Sequence, residues 1–383
     1  MSYPIQQIFR QSYGSYLHSH GGSFDSDKVA RAIMDCKSPS MGGNRTVCQD
    51  CGSTHTYYNS CRNRHCPCCQ SLVKEKWIDA RKADVVDAPY FHAVFTVPSE
   101  LNTLIFANRK VLYNLLYSSS SDTLFELARD KRHLGADIGF MSILHTWGSN
   151  LSFHPHVHAI VLGGGLSKEE SFIASKSDFL FPIKVVSRLF RGKFLHGLKI
   201  LYQQGKLDFP PNLEMLRYAR MFNDFLSTLY AKEWIPHIKE TFKGAANVIE
   251  YLGRYTHRIA ISNSRILNVC PEAVSFKVKD YRAGTNTTLS LHPEEFIRRF
   301  LMHVLPKGFV RIRHYGLLSN RSKRKKMAIV RRLIGGIRLK PRFKELSSLE
   351  MLKEIFGIDP SVCKDCGSHN IRTETLCFPH KLE

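Results

Sequence analysis

Apolar positions follow two different periods along the chain, and each period predicts a different kind of element. Over residues 1 to about 30 the apolar side chains recur at helical spacing, which predicts an amphipathic helix. They are Ile5, Ile8, Phe9 and Tyr13. Residues 90–97 are mostly β-branched or aromatic and lie between two prolines, which predicts a strand. The chain is therefore expected to begin with helix and to enter a β-containing core near residue 89.

Residues 138–147 and 156–162 have the composition of two further strands, and the polar turn 148–150 between them predicts an antiparallel hairpin. Helices are predicted at about 72–86, 99–117, 121–132, 184–204, 212–241, 245–254 and 292–304. Strands are also predicted near 258–263, 273–279 and 287–291. Strands interrupted by helices in this way predict an α+β fold, in which helices flank a central antiparallel sheet.

The charge of the chain is strongly basic and unevenly distributed. It has 55 Lys and Arg against 33 Asp and Glu, a formal net charge of +22. Between Lys307 and Lys344 the sequence contains fourteen Lys or Arg and no Asp or Glu, with aromatic residues interleaved. Such a pattern is typical of surfaces that follow a phosphate backbone and stack bases. It predicts a nucleic-acid partner; a solvated basic tail is the simpler alternative, but the apolar residues in the stretch argue against full disorder.

The lack of recognisable targeting signals and the number of cysteines predict the compartment in which the protein works. No run of about 18 apolar residues predicts a transmembrane helix, and the amino terminus lacks the apolar core of a secretory signal. We therefore expect a cytoplasmic protein that associates with the nucleoid when it is bound to DNA. In a reducing compartment, zinc explains the eleven cysteines better than disulfides do.

A histidine pair provides the first candidate chemistry. In an extended strand His156 and His158 project from the same side, so the two imidazoles can share one metal ion while Val157 points the other way. His145 would lie across the hairpin from this pair and is the candidate third ligand. Three neutral imidazoles suit a divalent ion, Mg²⁺ or Mn²⁺, that acts as a Lewis acid on a phosphate. Alternative third ligands are Asp137, Glu250 or a water, and His154 is a spare that we expect Pro155 to turn away.

A tyrosine pair provides the second candidate chemistry. Tyr251 and Tyr255 are four residues apart, which places them on one face of a helix. A phenol has a pKa of about 10 and attacks poorly unless a base, a cation or a metal-polarised phosphate assists it. Arg254 and Arg258 supply positive charge, and Gly253 allows another backbone or a nucleic-acid strand to approach closely. A plain core stripe is the alternative, but with the histidines the pair suits an enzyme that cuts single-stranded DNA and stays covalently attached.

Cysteine spacing predicts zinc sites near both ends of the sequence. Two C-x-x-C pairs at zinc-ribbon spacing predict one structural site: Cys48, Cys51, Cys66 and Cys69. Additional candidates for a second zinc nearby are Cys36, Cys61 and His65. A candidate carboxyl-terminal zinc site has the ligands Cys363, Cys366, Cys377 and His380. A redox role is the alternative for any C-x-x-C pair, but these lack the strand-helix context of a thioredoxin.

Five segments of the sequence resemble, in the same order, those of the HUH-type two-tyrosine rolling-circle transposases of the Insertion Sequence 91 family. They are residues 90–98, 144–148, 154–158, 251–258 and 305–309. The likeness extends from about residue 30 to 320, and residues 60–67 also resemble the zinc-binding module of that family. The five segments together make the resemblance specific, although a His-hydrophobe-His pattern alone would be weak evidence for the family.

The resemblance implies an HUH-endonuclease core that cleaves and rejoins single-stranded DNA at transposon ends through 5′-phosphotyrosine intermediates. It maps the metal-binding pair onto His156 and His158, and the two nucleophiles onto Tyr251 and Tyr255. The other readings are a plasmid replication initiator or relaxase of the same chemistry, and a non-catalytic zinc-finger regulator. The sequence contains no G-x-x-x-x-G-K-[ST] loop, so no nucleotide cofactor is expected.

The predicted organisation has four parts. They are an amino-terminal helix and zinc-binding module (1–88), the nuclease core (89–305), a basic DNA-binding segment (306–347) and a carboxyl-terminal zinc knuckle (348–383). The expected partners are single-stranded DNA at transposon ends and target DNA, with no membrane. The candidate DNA contacts are Arg62, Arg64, Arg254, Arg258, Lys307, Arg311, Arg313, Arg321, Lys323, Arg324, Lys325 and Lys326.

Overall fold

The elements of the chain are known from a computed structural model, which describes residues 4–176, 180–240, 249–250, 253, 260–279, 284–335 and 340–377. The helices in these residues are α1 (Pro4–His20), α2 (Phe24–Asp35), α3 (Ser71–Lys82), α4 (Asn102–Ala107), α5 (Arg109–Arg129), α6 (Ile183–Gln203), α7 (Ala219–Ala231), α8 (Pro293–Leu301), α9 (Lys323–Ile334) and α10 (Ser348–Phe356). The strands are β1 (Gly43–Cys48), β2 (Thr54–Tyr58), β3 (Tyr90–Thr96), β4 (Asp137–Trp147), β5 (Phe153–Leu166), β6 (Phe172–Ala174), β7 (His237–Glu240), β8 (Ile266–Val269), β9 (Val274–Lys279), β10 (Asn286–Leu291), β11 (Ile312–Gly316) and β12 (Ile371–Leu376).

A central antiparallel sheet has the strand order β11-β4-β5-β3-β7, with β6 paired to β5. Its middle is the predicted hairpin of β4 and β5, in which His145 stands opposite His156. The α+β class with antiparallel sheets is therefore confirmed. Two three-stranded sheets, β12-β1-β2 and β10-β9-β8, accompany the central one.

The two faces of the central sheet bury different sets of residues because successive side chains of a strand alternate between them. Phe140 of β4 and Val157 of β5 belong to the large core beneath α4 to α7. Met141 and Ile160 point to the opposite face and pack with residues of α3 and α9. Helices therefore flank the sheet on both sides, as predicted, and the histidines of β4 and β5 share a face with Met141 and Ile160.

The amino-terminal helices form a third apolar cluster with the sheet β10-β9-β8. The predicted apolar face of α1 is buried, and the Phe9 ring meets the Phe300 ring of α8 edge-on at 5.3 Å. Gln6, also on α1, donates from its side-chain amide to the carbonyls of Ile33 and Cys36, which fixes α1 against α2. Among the described residues, no helix combines the length and hydrophobicity that crossing a membrane would require.

Several predicted boundaries were wrong for identifiable reasons. The helix expected at 212–241 ends at Ala231 and is followed by β7, because Pro236 disfavours helix at and before its own position. The break expected between residues 117 and 121 is absent, since α5 continues through the serine run. The hydroxyls of Ser120 and Ser121 donate to the carbonyls of Tyr117 and Ser118, one turn back. Residues 260–262 are not a strand, and β8 begins only at Ile266.

Segments that the sequence analysis treats as separate are joined by strand pairing. β11 lies in the basic stretch, yet it forms an edge of the central sheet beside β4. β12 pairs along its whole length with β1, so the carboxyl-terminal segment completes the sheet of the amino-terminal module.

Candidate functional site

Three histidines converge on the face of the central sheet that carries Met141 and Ile160. The ring of His145 lies 4.3 Å from that of His158 and 5.6 Å from that of His156, and the last two rings are 4.8 Å apart. Their ligand nitrogens all lie within 4.8 Å of one another, close enough to share one ion. His145 is buried, and His156 and His158 are only partly exposed.

The backbone fixes the orientation of His156. Its Nδ1–H donates to the carbonyl of His154 at 2.6 Å, which leaves Nε2 as the nitrogen available to a metal. His154 itself does not join the cluster. β5 begins at Phe153, so Pro155 lies inside the strand and does not mark its start. The pairing with β4 shifts register here, with one extra residue on β5 between Phe153 and His156.

His92 on β3 is a further neighbour of the cluster, and it was not among the candidates predicted from the sequence. Its Nε2 lies 2.8 Å from Nδ1 of His158, and the two rings are nearly parallel. The register explains the contact: Val94 stands opposite His158, which places His92 diagonally across from it on the same face. The signal available in the sequence was the position of His92 within the predicted strand 90–97.

Burial keeps the cluster histidines neutral. Desolvation lowers the pKa of His156 to about 4, and it places the pKa values of His145 and His158 well below the usual value. Neighbouring positive charge acts in the same direction, including that of Arg311 on His145 and His158. At neutral pH all three therefore carry the lone pair that metal binding requires.

Arg311 is a buried neighbour of the cluster and not a surface cation. Only 9% of it is exposed, its Nε donates to the carbonyl of Leu144 at 3.1 Å, and its guanidinium lies 4.9 Å from the centre of the Trp147 ring. Burial lowers its pKa to about 10, so it stays charged at neutral pH. Arg311 is therefore buried, whereas the sequence placed it among the candidate DNA contacts of an exposed basic stretch.

The proposed nucleophiles Tyr251 and Tyr255, with Arg254 and Arg258, lie outside the described residues. The described residues beside them are helical at 249, 250 and 253. Ile249 is buried in the apolar cluster on the histidine-bearing face, together with Ile160. A Cβ on Gly253 would lie 2.2 Å from Cγ1 of Ile78, so the close approach that this glycine permits is to α3.

The alternative third ligands have other partners. Glu250 pairs with Lys82 at 3.3 Å, and Asp137 pairs with Arg129 at 2.9 Å. Asp137 also stands at the start of β4, whereas His145 is close to its end. Among the described residues, His145 is the group that accompanies His156 and His158.

The candidate DNA contacts divide into two groups. Some have protein partners: Arg64 donates to the carbonyl of Phe309 at 2.7 Å, Arg313 lies 4.0 Å from the centre of the Tyr117 ring, and Lys323 pairs with Asp84 at 2.7 Å. Lys326 is partly buried. The others are exposed: Arg62, Lys307, Arg321, Arg324 and Lys325.

The cysteines group differently from the prediction. One cluster consists of Cys36, Cys61, Cys66 and Cys69, with Sγ atoms of Cys61 and Cys69 3.7 Å apart. Cys48 and Cys51 are not part of it, because β1 carries them to the other end of the module. His65 is no ligand here: it is buried, and its Nε2 accepts the amide N–H of Leu305 at 3.3 Å.

A second cluster joins the two ends of the sequence. It consists of Cys48, Cys51, Cys363 and Cys366. The carboxyl-terminal site expected from Cys363, Cys366, Cys377 and His380 is therefore corrected: its first pair faces the amino-terminal module, Cys377 is exposed, and His380 lies outside the described residues. Four thiolates at such spacing are typical of structural zinc sites, which the cysteine clusters support here.

Comparisons with known proteins agree on one class. Residues 139–326 match a family described as "Putative transposase", and residues 8–97 match "Transposase zinc-binding domain". The chain is 43% identical over 334 residues to "Putative transposase y4qJ" of Sinorhizobium fredii (strain NBRC 101917 / NGR234), which covers 86% of this chain and 84% of that protein. It is 27% identical over 379 residues to "Transposase for insertion sequence element IS801" of Pseudomonas savastanoi pv. phaseolicola, covering 97% and 90%. No solved structure matches the chain.

Proposed function

Since the chain belongs to the transposases of the Insertion Sequence 91 family, we propose that it cleaves and rejoins single-stranded DNA at transposon ends through tyrosine chemistry. The observation that carries this proposal is the histidine cluster of β4 and β5. It lies on the sheet face against which Ile249 packs, and Ile249 is two residues before Tyr251 in the sequence. The rolling-circle-like course of transposition follows from two nucleophiles in one chain, each able to hold a DNA end.

The histidines are proposed to hold a divalent ion, Mg²⁺ or Mn²⁺. Three neutral imidazoles with mutually close nitrogens fit such an ion, and the fixed tautomer of His156 presents Nε2 to it. When bound, the ion would supply Lewis-acid polarisation of the scissile phosphate. Zinc would instead occupy the cysteine clusters, whose thiolates are softer ligands.

The tyrosines are proposed to act as nucleophiles. The phenol oxygen of Tyr251 or Tyr255 attacks phosphorus, and the bond from phosphorus to the 3′ oxygen breaks. The phenol proton leaves to solvent or a nearby base, and the departing 3′ oxygen takes up a proton from solvent. The products are a 5′-phosphotyrosine and a free 3′-OH. Attack by a 3′-OH on the phosphotyrosine reverses these bonds and rejoins DNA. One phosphodiester replaces another, so no nucleotide cofactor is required.

The exposed cations are proposed to hold the DNA. Arg62, Lys307, Arg321, Arg324 and Lys325 are accessible to phosphates and would bind element ends or target strands without reading sequence. A DNA-dependent enzyme of this kind would work in the cytoplasm, at the nucleoid.

A covalent-adduct assay tests the proposal. The full chain is incubated with Mn²⁺ and a single-stranded oligonucleotide from the element end, labelled on the 3′ side of the cleavage site, and then denatured. We expect a labelled adduct that survives denaturation, that depends on the divalent ion and that is lost in the double variant Tyr251→Phe/Tyr255→Phe. Each single variant should still form some adduct but fail to complete strand transfer. Adduct formation by the double variant would overturn the assignment of the nucleophiles.

A further inference from the structure

Two short segments near opposite ends of the sequence have almost the same residues. Residues 48–53 read Cys-Gln-Asp-Cys-Gly-Ser, and residues 363–368 read Cys-Lys-Asp-Cys-Gly-Ser. Their backbones also match: the amide of Cys48 donates to Ser53 O at 2.9 Å, and that of Cys363 donates to Ser368 O at 2.8 Å. We call these segments the amino-terminal and carboxyl-terminal knuckles.

The glycine of each knuckle serves the same turn. Gly52 and Gly367 both have φ of 75°, in the left-handed region that favours glycine. Each donates its amide to the carbonyl of the first cysteine of its own knuckle, at 3.0 Å in both cases. The two knuckles are therefore two copies of one local structure.

The knuckles face each other through their sulfur atoms. Cys48 Sγ lies 3.6 Å from Cys366 Sγ, and Cys51 Sγ lies 3.7 Å from Cys363 Sγ. Tetrahedral zinc with bonds of about 2.3 Å requires sulfurs roughly 3.8 Å apart, whereas a disulfide requires about 2.0 Å. The observed separations fit a shared ion and not a covalent bond.

Each knuckle has an aspartate that contacts side chains in or next to the other knuckle. The Ser368 hydroxyl donates to Asp50, and the Asn370 amide donates to the same carboxylate at 2.9 Å. In the other direction, Asp365 lies 3.0 Å from Nε2 of His55. With the pairing of β1 and β12, these contacts assemble the site from parts of the chain more than 300 residues apart, as the separation of 312 residues between Cys51 and Cys363 shows.

We propose that Cys48, Cys51, Cys363 and Cys366 bind a structural zinc ion of their own, separate from an ion at Cys36, Cys61, Cys66 and Cys69. The carboxyl-terminal knuckle then supplies half of the ligands of a site in the amino-terminal module. The ion would also hold the segment that follows the basic stretch against the amino-terminal module.

Metal content of the purified full chain tests this proposal. We expect two zinc ions per chain by mass spectrometry, one in Cys363→Ser and one in Cys61→Ser, since each variant removes a ligand from a different cluster. Cys377→Ser is the matched control, because Cys377 is an exposed cysteine near the carboxyl-terminal knuckle but outside both clusters, and it should keep two. A wild-type content of one, or two ions retained in a folded Cys363→Ser, would overturn the proposal.

A second measurement needs no variant and is therefore independent of folding defects. Cys51, Cys366 and Cys377 are all exposed, but only the first two belong to the cluster. In native wild-type protein N-ethylmaleimide should modify Cys377 and spare the other two until a chelator is added, as peptide mass spectrometry would reveal. Equal labelling of all three without chelator would contradict the site. Neither readout depends on DNA cleavage, so failure here and failure of the proposed function are distinguishable.

Discussion

Nε2 of His92 lies 2.8 Å from Nδ1 of His158, with the two rings nearly parallel. Such a contact to the second nitrogen of a metal-binding histidine orients the ring and raises its affinity for the ion. We therefore expect His92→Ala to weaken divalent-ion binding by about 10- to 100-fold, measured by titrating Mn²⁺ calorimetrically.

His92 is a positioning residue in this view, so its loss should be reversible by ion concentration. Adduct formation by His92→Ala should recover at saturating Mn²⁺, which a folding defect would not allow. Unchanged Mn²⁺ affinity in the variant would contradict this role.

His156→Ala should remove the ion and abolish cleavage while it leaves DNA binding nearly intact. Loss of one of three ligands is expected to reduce adduct formation by at least about 100-fold, because the remaining imidazoles hold the ion poorly. The dissociation constant for the same oligonucleotide, measured by fluorescence anisotropy, should change less than about threefold, because we expect the exposed cations to make the phosphate contacts. His154→Ala is the control on the same strand; its side chain is outside the cluster, and it should cleave. Normal cleavage by His156→Ala would disprove the metal assignment.

Gly253→Ala should disturb the packing of the tyrosine segment on α3. The added Cβ would overlap Ile78, and overpacking costs about 1–3 kcal/mol, more than the roughly 1 kcal/mol that alanine gains over glycine in a helix. We expect lower stability by urea unfolding and reduced adduct formation. In an Ile78→Ala background the same change should cost nothing, because the overlapping atom is gone.

A glycine without such a neighbour provides the comparison. Gly192 lies inside α6, and a Cβ there would meet nothing within 4 Å. Gly192→Ala should therefore stabilise the protein by about 1 kcal/mol. Equal effects of the two glycine substitutions would show that the contact with Ile78 does not matter.

Protonation of His303 should lower the free energy of unfolding in acid. It is buried between Thr146 and the carbonyl of Leu151, and desolvation lowers its pKa from 6.5 to about 4. Between pH 6.5 and 4 this histidine is protonated in the unfolded chain but stays neutral in the folded one. Its contribution to the free energy of unfolding is therefore fully present above pH 6.5 and is lost as the pH falls toward 4.

The variant His303→Gln should keep the hydrogen bonds and lose this dependence. Urea unfolding at pH 7.5 and pH 4.5 should show a smaller drop for the variant, by on the order of 2–3 kcal/mol. Identical drops in the two proteins would rule out a part for His303.

The sequence predicted those features that depend on local periodicity. Alternation in β4 and β5 was enough to predict the hairpin and to place His145 opposite His156. The end of α7 could also have been foreseen, because Pro236 is visible in the sequence. His92 could not be placed without the register of β3 against β5, which depends on packing across the whole sheet.

Partners far apart in the sequence were the main source of error. Spacing suggested that Cys48 and Cys51 share a site with the next C-x-x-C pair, but it carries no information about which pairs meet in space. The pairing of β1 with β12 decides that question. The repeated Cys-x-Asp-Cys-Gly-Ser segment was the one signal in the sequence that could have joined the two ends.

Because β1 pairs with β12, the sheet of the amino-terminal module cannot form in full until residues 371–376 have been synthesised. Cys51 can meet Cys363 only after the ribosome has added 312 further residues. Contacts of such long sequence separation form slowly. During synthesis the sheet of β1 and β2 therefore lacks its third strand until residues 371–376 have been added.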